Sequence, residues 1–312
     1  MTGAPSPAGA ARQSRPRPAE VVDWVDRARL RPWLLLSMAA AALAGVGNVV
    51  GLTVERIYAP ETVDWQGQAL AQDLVGLIVV VPAVLITAIA TRRGSLRAYL
   101  VWVGFLTFMV YNYVIYAFGV QFGPLFNVWV AVLGASVFSL IGGLAAVRPS
   151  AVRDHYDRTR SLAPTAWFLV GAGALFAVLW LNEIVPALLA DDPLESAAEV
   201  GLPTNPVQVL DLAFFLPAVI GVGLALRRGQ PFAFVTAPGL LVFIAVTGLP
   251  ILATPFVHVV RDETAEWGPF GPIAVLTVVT VVVTVRLLAR VKEVALDAGP
   301  AGPRPAIARD HR

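Results

Sequence analysis

Glu183 is the side chain in this sequence with the most evident chemical potential, because it stands in the apolar run Leu179-Trp180-Leu181-Asn182-Glu183-Ile184-Val185-Pro186. Burial disfavours the charged form of a carboxyl, so such a group can stay protonated, bind a cation or amine, or relay a proton. It can equally reach a nearby aqueous interface or be hydrogen-bonded inside a helix bundle. Asp73 and Asp211 form a second pair, nine and six residues before Pro82 and Pro217. The three-residue difference is close to one helical turn, so both carboxylates can share a face. Each can instead cap a helix N-terminus, where aspartate is favoured. Asn48, Asn112 and Asn182 add amides within apolar runs, and Tyr111-Asn112-Tyr113-Val114-Ile115-Tyr116 holds three of the six tyrosines. Asn112 and Tyr116 are four apart and Tyr113 and Tyr116 three apart, which makes one strip of rings and hydrogen-bonding tips. Tyrosines also form interfacial belts, but Tyr111 lies about 15 Å below the predicted helix end.

These residues need apolar helices to carry them, and the composition supplies them. The chain has 312 residues, 57% hydrophobic and 14% charged, with a mean hydropathy of +0.72. Soluble domains carry about 25% charged residues. Between Arg97 and Arg148 lie fifty residues without Asp, Glu, Lys, Arg or His. Two spans of about 20 residues fit there with a short turn. Eight spans are predicted over residues 33–54, 69–90, 98–121, 124–147, 166–190, 207–226, 232–258 and 270–289. The fold class expected is therefore all-α integral membrane. Residues 1–17 are too rich in Ala, Pro, Gly, Ser and Arg to bury a core and are expected to be disordered. Residues 18–32 read as a short amphipathic helix, lying on the membrane or leading into the first span. The leader mixes acids with bases, so the first span reads as retained and not as a cleaved signal. The remaining units are a four-helix repeat at 33–147, a cytoplasmic linker at 148–165, a second repeat at 166–290 and a disordered tail at 291–312.

Orientation follows from where the basic residues fall. With eight spans, 21 of the 23 Arg and Lys side chains lie on the side of both termini, and only Arg56 and Arg261 lie opposite. The opposite side carries Glu55, Glu61, Asp64, Asp191, Asp192, Glu195, Glu199, Asp262, Glu263 and Glu266. Both termini are therefore expected in the cytoplasm, with the chain in the cell membrane. A single lysine among the basic residues points to a GC-rich, bacterial coding source.

An internal repeat underlies the count. Pro82-Ala83-Val84-Leu85 and Arg92-Arg93-Gly94 recur as Pro217-Ala218-Val219-Ile220 and Arg227-Arg228-Gly229 at an offset of 135. Gly104, Leu106 and Phe108 match Gly239, Leu241 and Phe243, while Trp33 and Asn48 match Trp167 and Asn182 at 134. Chance likeness among apolar helices explains a shared leucine but explains this set poorly. Four plus four helices in parallel orientation place a pseudo-twofold axis along the membrane normal, as some transporters do. With this topology, Asn48, Asp73, Asn112, Asn182, Glu183 and Asp211 all fall in the outer half of the bilayer, and the inner half is almost wholly apolar.

Several chemistries are excluded. There is no cysteine, hence no disulfide, thiolate metal site or cysteine nucleophile. His155 and His311 fall in aqueous segments, so bis-histidine haem ligation within the membrane is ruled out. Asp191-Asp192-Pro193-Leu194-Glu195 resembles a magnesium-binding acidic cluster but reads better as a solvated loop. No phosphate loop, serine-nucleophile motif or HExxH helix is present. No cofactor, metal or nucleic-acid partner is expected, and the Arg-Arg-Gly corners read as topology anchors.

The stretch from Asp73 to about Val147, with Arg92-Arg93-Gly94-Ser95-Leu96-Arg97 and Tyr111-Asn112-Tyr113 through Tyr116-Ala117-Phe118-Gly119, resembles a recurrent group of bacterial multi-pass membrane proteins. The resemblance implies a shared fold and brings no activity or site residues. Three functions are then weighed. The first is a carrier or binder of a small solute, ion or lipophilic molecule, with Glu183 supplying charge, Asn48, Asn112 and Asn182 orientation, and Tyr111, Tyr113 and Tyr116 a wall. The second is a non-catalytic membrane subunit, sensor or assembly factor, whose small-residue stretches allow close packing with a partner. The third is a membrane enzyme acting on lipid or isoprenoid, with Glu183 or Asp211 as acid or base. No paired catalytic motif supports the third.

Overall fold

The computed structural model describes residues 24–157, 159 and 161–292. Eight of its helices are long and apolar enough to cross a membrane, which makes this a multi-pass membrane protein. They are α1 (Arg27–Thr53), α2 (Val63–Arg92), α3 (Leu96–Gly119), α4 (Phe126–Ala145), α5 (Ala163–Ala190), α6 (Pro206–Arg227), α7 (Pro231–Val260) and α8 (Phe270–Leu288). All eight predicted spans are present, and two begin about six residues earlier than expected. Asp26 caps α1 by accepting from the amides of Ala28 and Arg29 at 3.1 Å. Thr62 caps α2 by accepting from Trp65 N–H at 3.3 Å. A polar first turn lengthens a span without lengthening its apolar core, so hydropathy alone misses it. Residues 27–32 are consequently the first turns of α1, not the end of a separate surface helix. The expected tails, 1–17 and from 293 onward, and the beginning of the 18–32 segment lie outside the described residues.

The end of the molecule where the described residues begin and end, at Trp24 and Lys292, is tied together by backbone. Trp24 O accepts from Arg148 N–H at 2.9 Å and Ala146 O from Asp26 N–H at 3.0 Å. The 148–165 linker includes a short helix, Pro149–Asp154, packed on α7. Tyr156 donates to Phe234 O at 2.9 Å, and Arg97 donates to Val291 O at 2.6 and 3.1 Å. Each Arg-Arg-Gly corner reverses the chain through a glycine at positive φ, +99° at Gly94 and +69° at Gly229. A side chain there would be strained, which is why glycine ends these helices. The two corners share one bonding pattern: Gly94 and Ser95 donate to Thr91 and Ala90, and Gly229 and Gln230 donate to Leu226 and Ala225.

The first four spans close a ring, with contacts α1–α2, α2–α3, α3–α4 and α4–α1. Its interior is dense. Trp102 donates to Ser37 Oγ at 3.0 Å and Tyr99 to Gly143 O at 3.1 Å, and all three side chains are fully buried. In the second four, α5–α6, α6–α7 and α7–α8 pack, while α5 and α8 turn apolar sides such as Leu175, Val178, Val275 and Val278 outward. The two sets meet along α3 and α7. A Cβ on Gly104 would stand 2.6 Å from Gly239 O, and one on Gly239 would stand 3.4 Å from Gly104 N. Two glycines separated by 135 positions thus face each other across the contact. Both α2 and α6 are interrupted by one π-helical turn, Gly76–Val80 and Asp211–Phe215, which are also 135 positions apart.

Candidate functional site

The far end of the molecule, opposite the termini, holds a cavity of about 340 Å³ between α2, α3 and α7. Pockets that bury small ligands start near this volume. From α2 come Trp65, Ala69 and Gln72, and from α3 come Phe108, Tyr111, Asn112, Ile115 and Tyr116. From α7 come Thr247, Pro250, Ile251, Thr254, Pro255 and His258. Pro250 and Pro255 lack the N–H that would reach the carbonyls of Val246 and Ile251, so α7 carries free backbone acceptors beside the cavity. Thr247 and Thr254 hydroxyls bond back to Phe243 O and Pro250 O at 2.9 Å. A void of about 10 Å³ continues behind the floor, sharing Gln72, Phe108 and Asn112 and reaching Asn48, Gly76 and Tyr113.

Three side chains that line this space leave polar atoms without a protein partner among the described residues. Asn112 is only 8% exposed, and its amide makes no hydrogen bond. Gln72 Nε2 is buried and unpaired. His258 is 5% exposed and uses Nδ1 alone, bonding Glu263 at 2.8 Å. Buried amides without partners are rare in folded proteins and cost about 1–3 kcal/mol each unless something fills their valence.

The mouth is acidic. Asp64, Glu199 and Glu266 line it, and neither Arg nor Lys does. Burial first, and then the charges of Asp64, Glu195, Glu266 and Glu183, push the Glu199 carboxyl above its ordinary range. One side of the mouth is pinned by the loop after α7. Arg261 bonds Glu263 at 2.9 Å and Gln66 of α2 at 3.1 Å. Partial burial opposes ionisation of Glu263, but the Arg261 and His258 bonds hold its carboxyl below the usual range.

Asp73 lies one layer behind the cavity wall. Tyr58 donates to one of its oxygens at 2.7 Å and Tyr116 to the other at 2.8 Å. With the Asn48 amide assigned so that its donors meet acceptors, it reaches Asp73 and Ala44 O at 3.2 Å and accepts from Leu77 N–H at 3.1 Å. Tyr113 stacks on Tyr116 at 5.7 Å between ring centres, and Trp129 packs on Tyr116 at 5.3 Å. Gly51 passes so close that a Cβ there would fall on the Asp73 carboxylate.

The expected residues therefore divide among five places. Asn48, Asp73, Tyr113 and Tyr116 form the buried cluster just described. Asn112 and Tyr111 line the cavity, with Tyr116 shared between both. Asp211 opens the π turn of α6, where Trp180 donates to it at 2.8 Å and the Tyr111 hydroxyl lies alongside. Neither aspartate caps a helix; Thr62 and Asn205 do. Glu183 is not among the cavity-lining residues and clasps a loop instead, accepting from Ser196 N–H at 3.1 Å and Gln208 Nε2 at 2.6 Å. Asn182 is exposed on the outside of α5. Sequence reasoning missed Tyr58, Gln72 and the Asp64–Glu199–Glu266 mouth as site members. The signal for Gln72 was available, since it adjoins Asp73 within a predicted span.

This placement makes Glu183 a structural test. Glu183→Gln should weaken the 191–205 loop by about 1 kcal/mol, the scale of one weakened hydrogen bond. Limited proteolysis should cut that loop faster, while ligand binding in the cavity stays at the parental level. An altered ligand affinity with an unaltered cleavage rate would contradict the clasp.

No protein-family model matches the chain, and neither a curated protein nor a solved structure is significantly similar to it.

Proposed function

We propose that this protein captures a small solute or lipophilic molecule in the cavity between α2, α3 and α7, from the extracytoplasmic side of the cell membrane. The observation that carries the reading is Asn112, an amide only 8% exposed that lines the cavity and bonds nothing of the protein's own. Orientation rests on the basic residues, which gather at the end holding both termini and so favour the cytoplasm for that end. Four-plus-four duplication is supported by the matched π turns, the matched Arg-Arg-Gly corners and the facing Gly104 and Gly239. A parallel pseudo-twofold axis would pass between those two glycines. Below Phe108 the space closes on Trp102, Leu100 and Leu106, all fully buried, which favours capture at one side over continuous passage.

The chain has no cysteine of its own, so single cysteines report accessibility directly. In intact cells an impermeant thiol reagent should label Thr254→Cys and Gln68→Cys from outside. It should leave Gly143→Cys, packed under Trp102, unlabelled. Labelling of Thr254→Cys only after the cytoplasmic face is opened would reverse the orientation.

A further inference from the structure

We infer that the cavity selects a small organic monocation, an amine or quaternary ammonium with a compact apolar body. The inference rests on the reading of the cavity as a binding site and names the chemistry of its ligand.

Charge comes first. Asp64, Glu199 and Glu266 converge on the mouth with no basic side chain among them. Arg261, on the same end of the molecule, is engaged with Glu263 and Gln66. An anion entering here would meet like charge. A cation would be drawn in, since clefts lined by one sign of charge raise the local concentration of the other.

The interior continues the preference. The uncommitted Asn112 and Gln72 amides each bring a carbonyl oxygen able to accept from an N–H donor. Trp65, Phe108, Tyr111 and Tyr116 contribute aromatic surface to the same volume, and aromatic faces attract cations. Tyr116 adds a second effect. Its hydroxyl donates to Asp73, which couples a ring of the cavity lining to that carboxylate. Behind it, the described residues place no Arg or Lys against Asp73. A cation in the cavity would therefore be the nearest positive charge on that side of the carboxylate. The apolar remainder, Ile115, Pro250 and Ile251, suits a hydrocarbon body and not a bare hydrated ion.

The test compares three probes of one shape: phenethylammonium, 2-phenylethanol and phenylacetate. Each is titrated into the purified full-length protein in lipid nanodiscs while tryptophan emission is followed, with Trp65→Phe identifying the cavity signal. Phenethylammonium should saturate about tenfold more tightly than 2-phenylethanol, the scale of a desolvated cation–π contact, and phenylacetate should bind weakest. Asp64→Asn, Glu199→Gln and Glu266→Gln together should bring the cation close to the alcohol and leave the alcohol unchanged. Should the triple variant not fold, Glu266→Gln alone should narrow the gap in part. If the alcohol or phenylacetate binds as tightly as the cation, the cavity remains a binding site and the cation inference falls. If no probe alters the Trp65 signal, both fall.

Discussion

Asp73→Ala is expected to lower the stability of this protein by about 3–5 kcal/mol, the cost of removing one partner from a buried charged network. Its carboxylate is the acceptor for Tyr58, Tyr116 and Asn48 at once. Alanine would leave two hydroxyls and an amide facing a void within the membrane-spanning region. Because the cluster is buried, each lost bond approaches its full desolvation cost. The effect should appear as a lower midpoint of thermal or detergent-induced unfolding. Asp73→Asn should cost less, because one amide oxygen still accepts and a tyrosine can rotate to accept from the other end. The order Ala worse than Asn is the discriminating result. Equal midpoints for wild type and Asp73→Ala would mean that the hydroxyls find other acceptors and that the cluster is incidental.

The second large effect is expected at Gly104. A Cβ there would stand 2.5 Å from Val242 Cβ and 2.6 Å from Gly239 O. The second neighbour is backbone and cannot rotate away, so α3 and α7 must part. Overpacking of this kind costs about 1–3 kcal/mol for a methyl and more for a larger group. Gly104→Leu should consequently fall at or beyond the top of that range. Gly239→Ala should be milder, because its nearest obstacle, at 2.9 Å, is the side-chain methyl Cγ1 of Val103. A helix pair spread at Gly104 also widens the floor of the cavity one turn away at Phe108. Probe affinity should therefore fall in Gly104→Ala even where the protein remains folded. Full stability in Gly104→Ala, measured by the same unfolding midpoint, would show that the interface is looser than these distances imply.

Long uncharged runs and the separation of charge made all eight spans legible before any coordinate was seen. Depth was legible too, since Asn48, Asp73, Asn112 and Asp211 all belong to the end of the bundle opposite the termini. Azimuth was not. Whether two polar residues at one depth meet depends on which helices are neighbours, and neighbours are set by packing between segments remote in sequence. Glu183 shows the difference. Its surroundings in the chain are apolar, yet its neighbours in space are Ser196 and Gln208, brought back by the loop that follows. Tyr58 shows the converse, a loop residue whose ring folds inward to reach Asp73. The mouth carboxylates were visible only as members of an acidic side, because Asp64, Glu199 and Glu266 come from three separate segments. The spacings that suggest a tandem pattern were easier to see, since they depend on position along the chain and not on contact.

The π turns of α2 and α6 have a consequence for how such a protein can change. A π turn accommodates one residue beyond the regular repeat, and a residue in an α-helix corresponds to about 100° of rotation. The two ends of α2 are thus set to different angular phases. Toward the termini, Val84 and Ala88 keep to the buried core, while toward the far end Gln72 and Asp73 face the polar cluster and the cavity. Substitutions that re-aim one end do not oblige the other to turn with it. In genetic terms the helix divides into two units, one that holds the scaffold and one that lines the cavity.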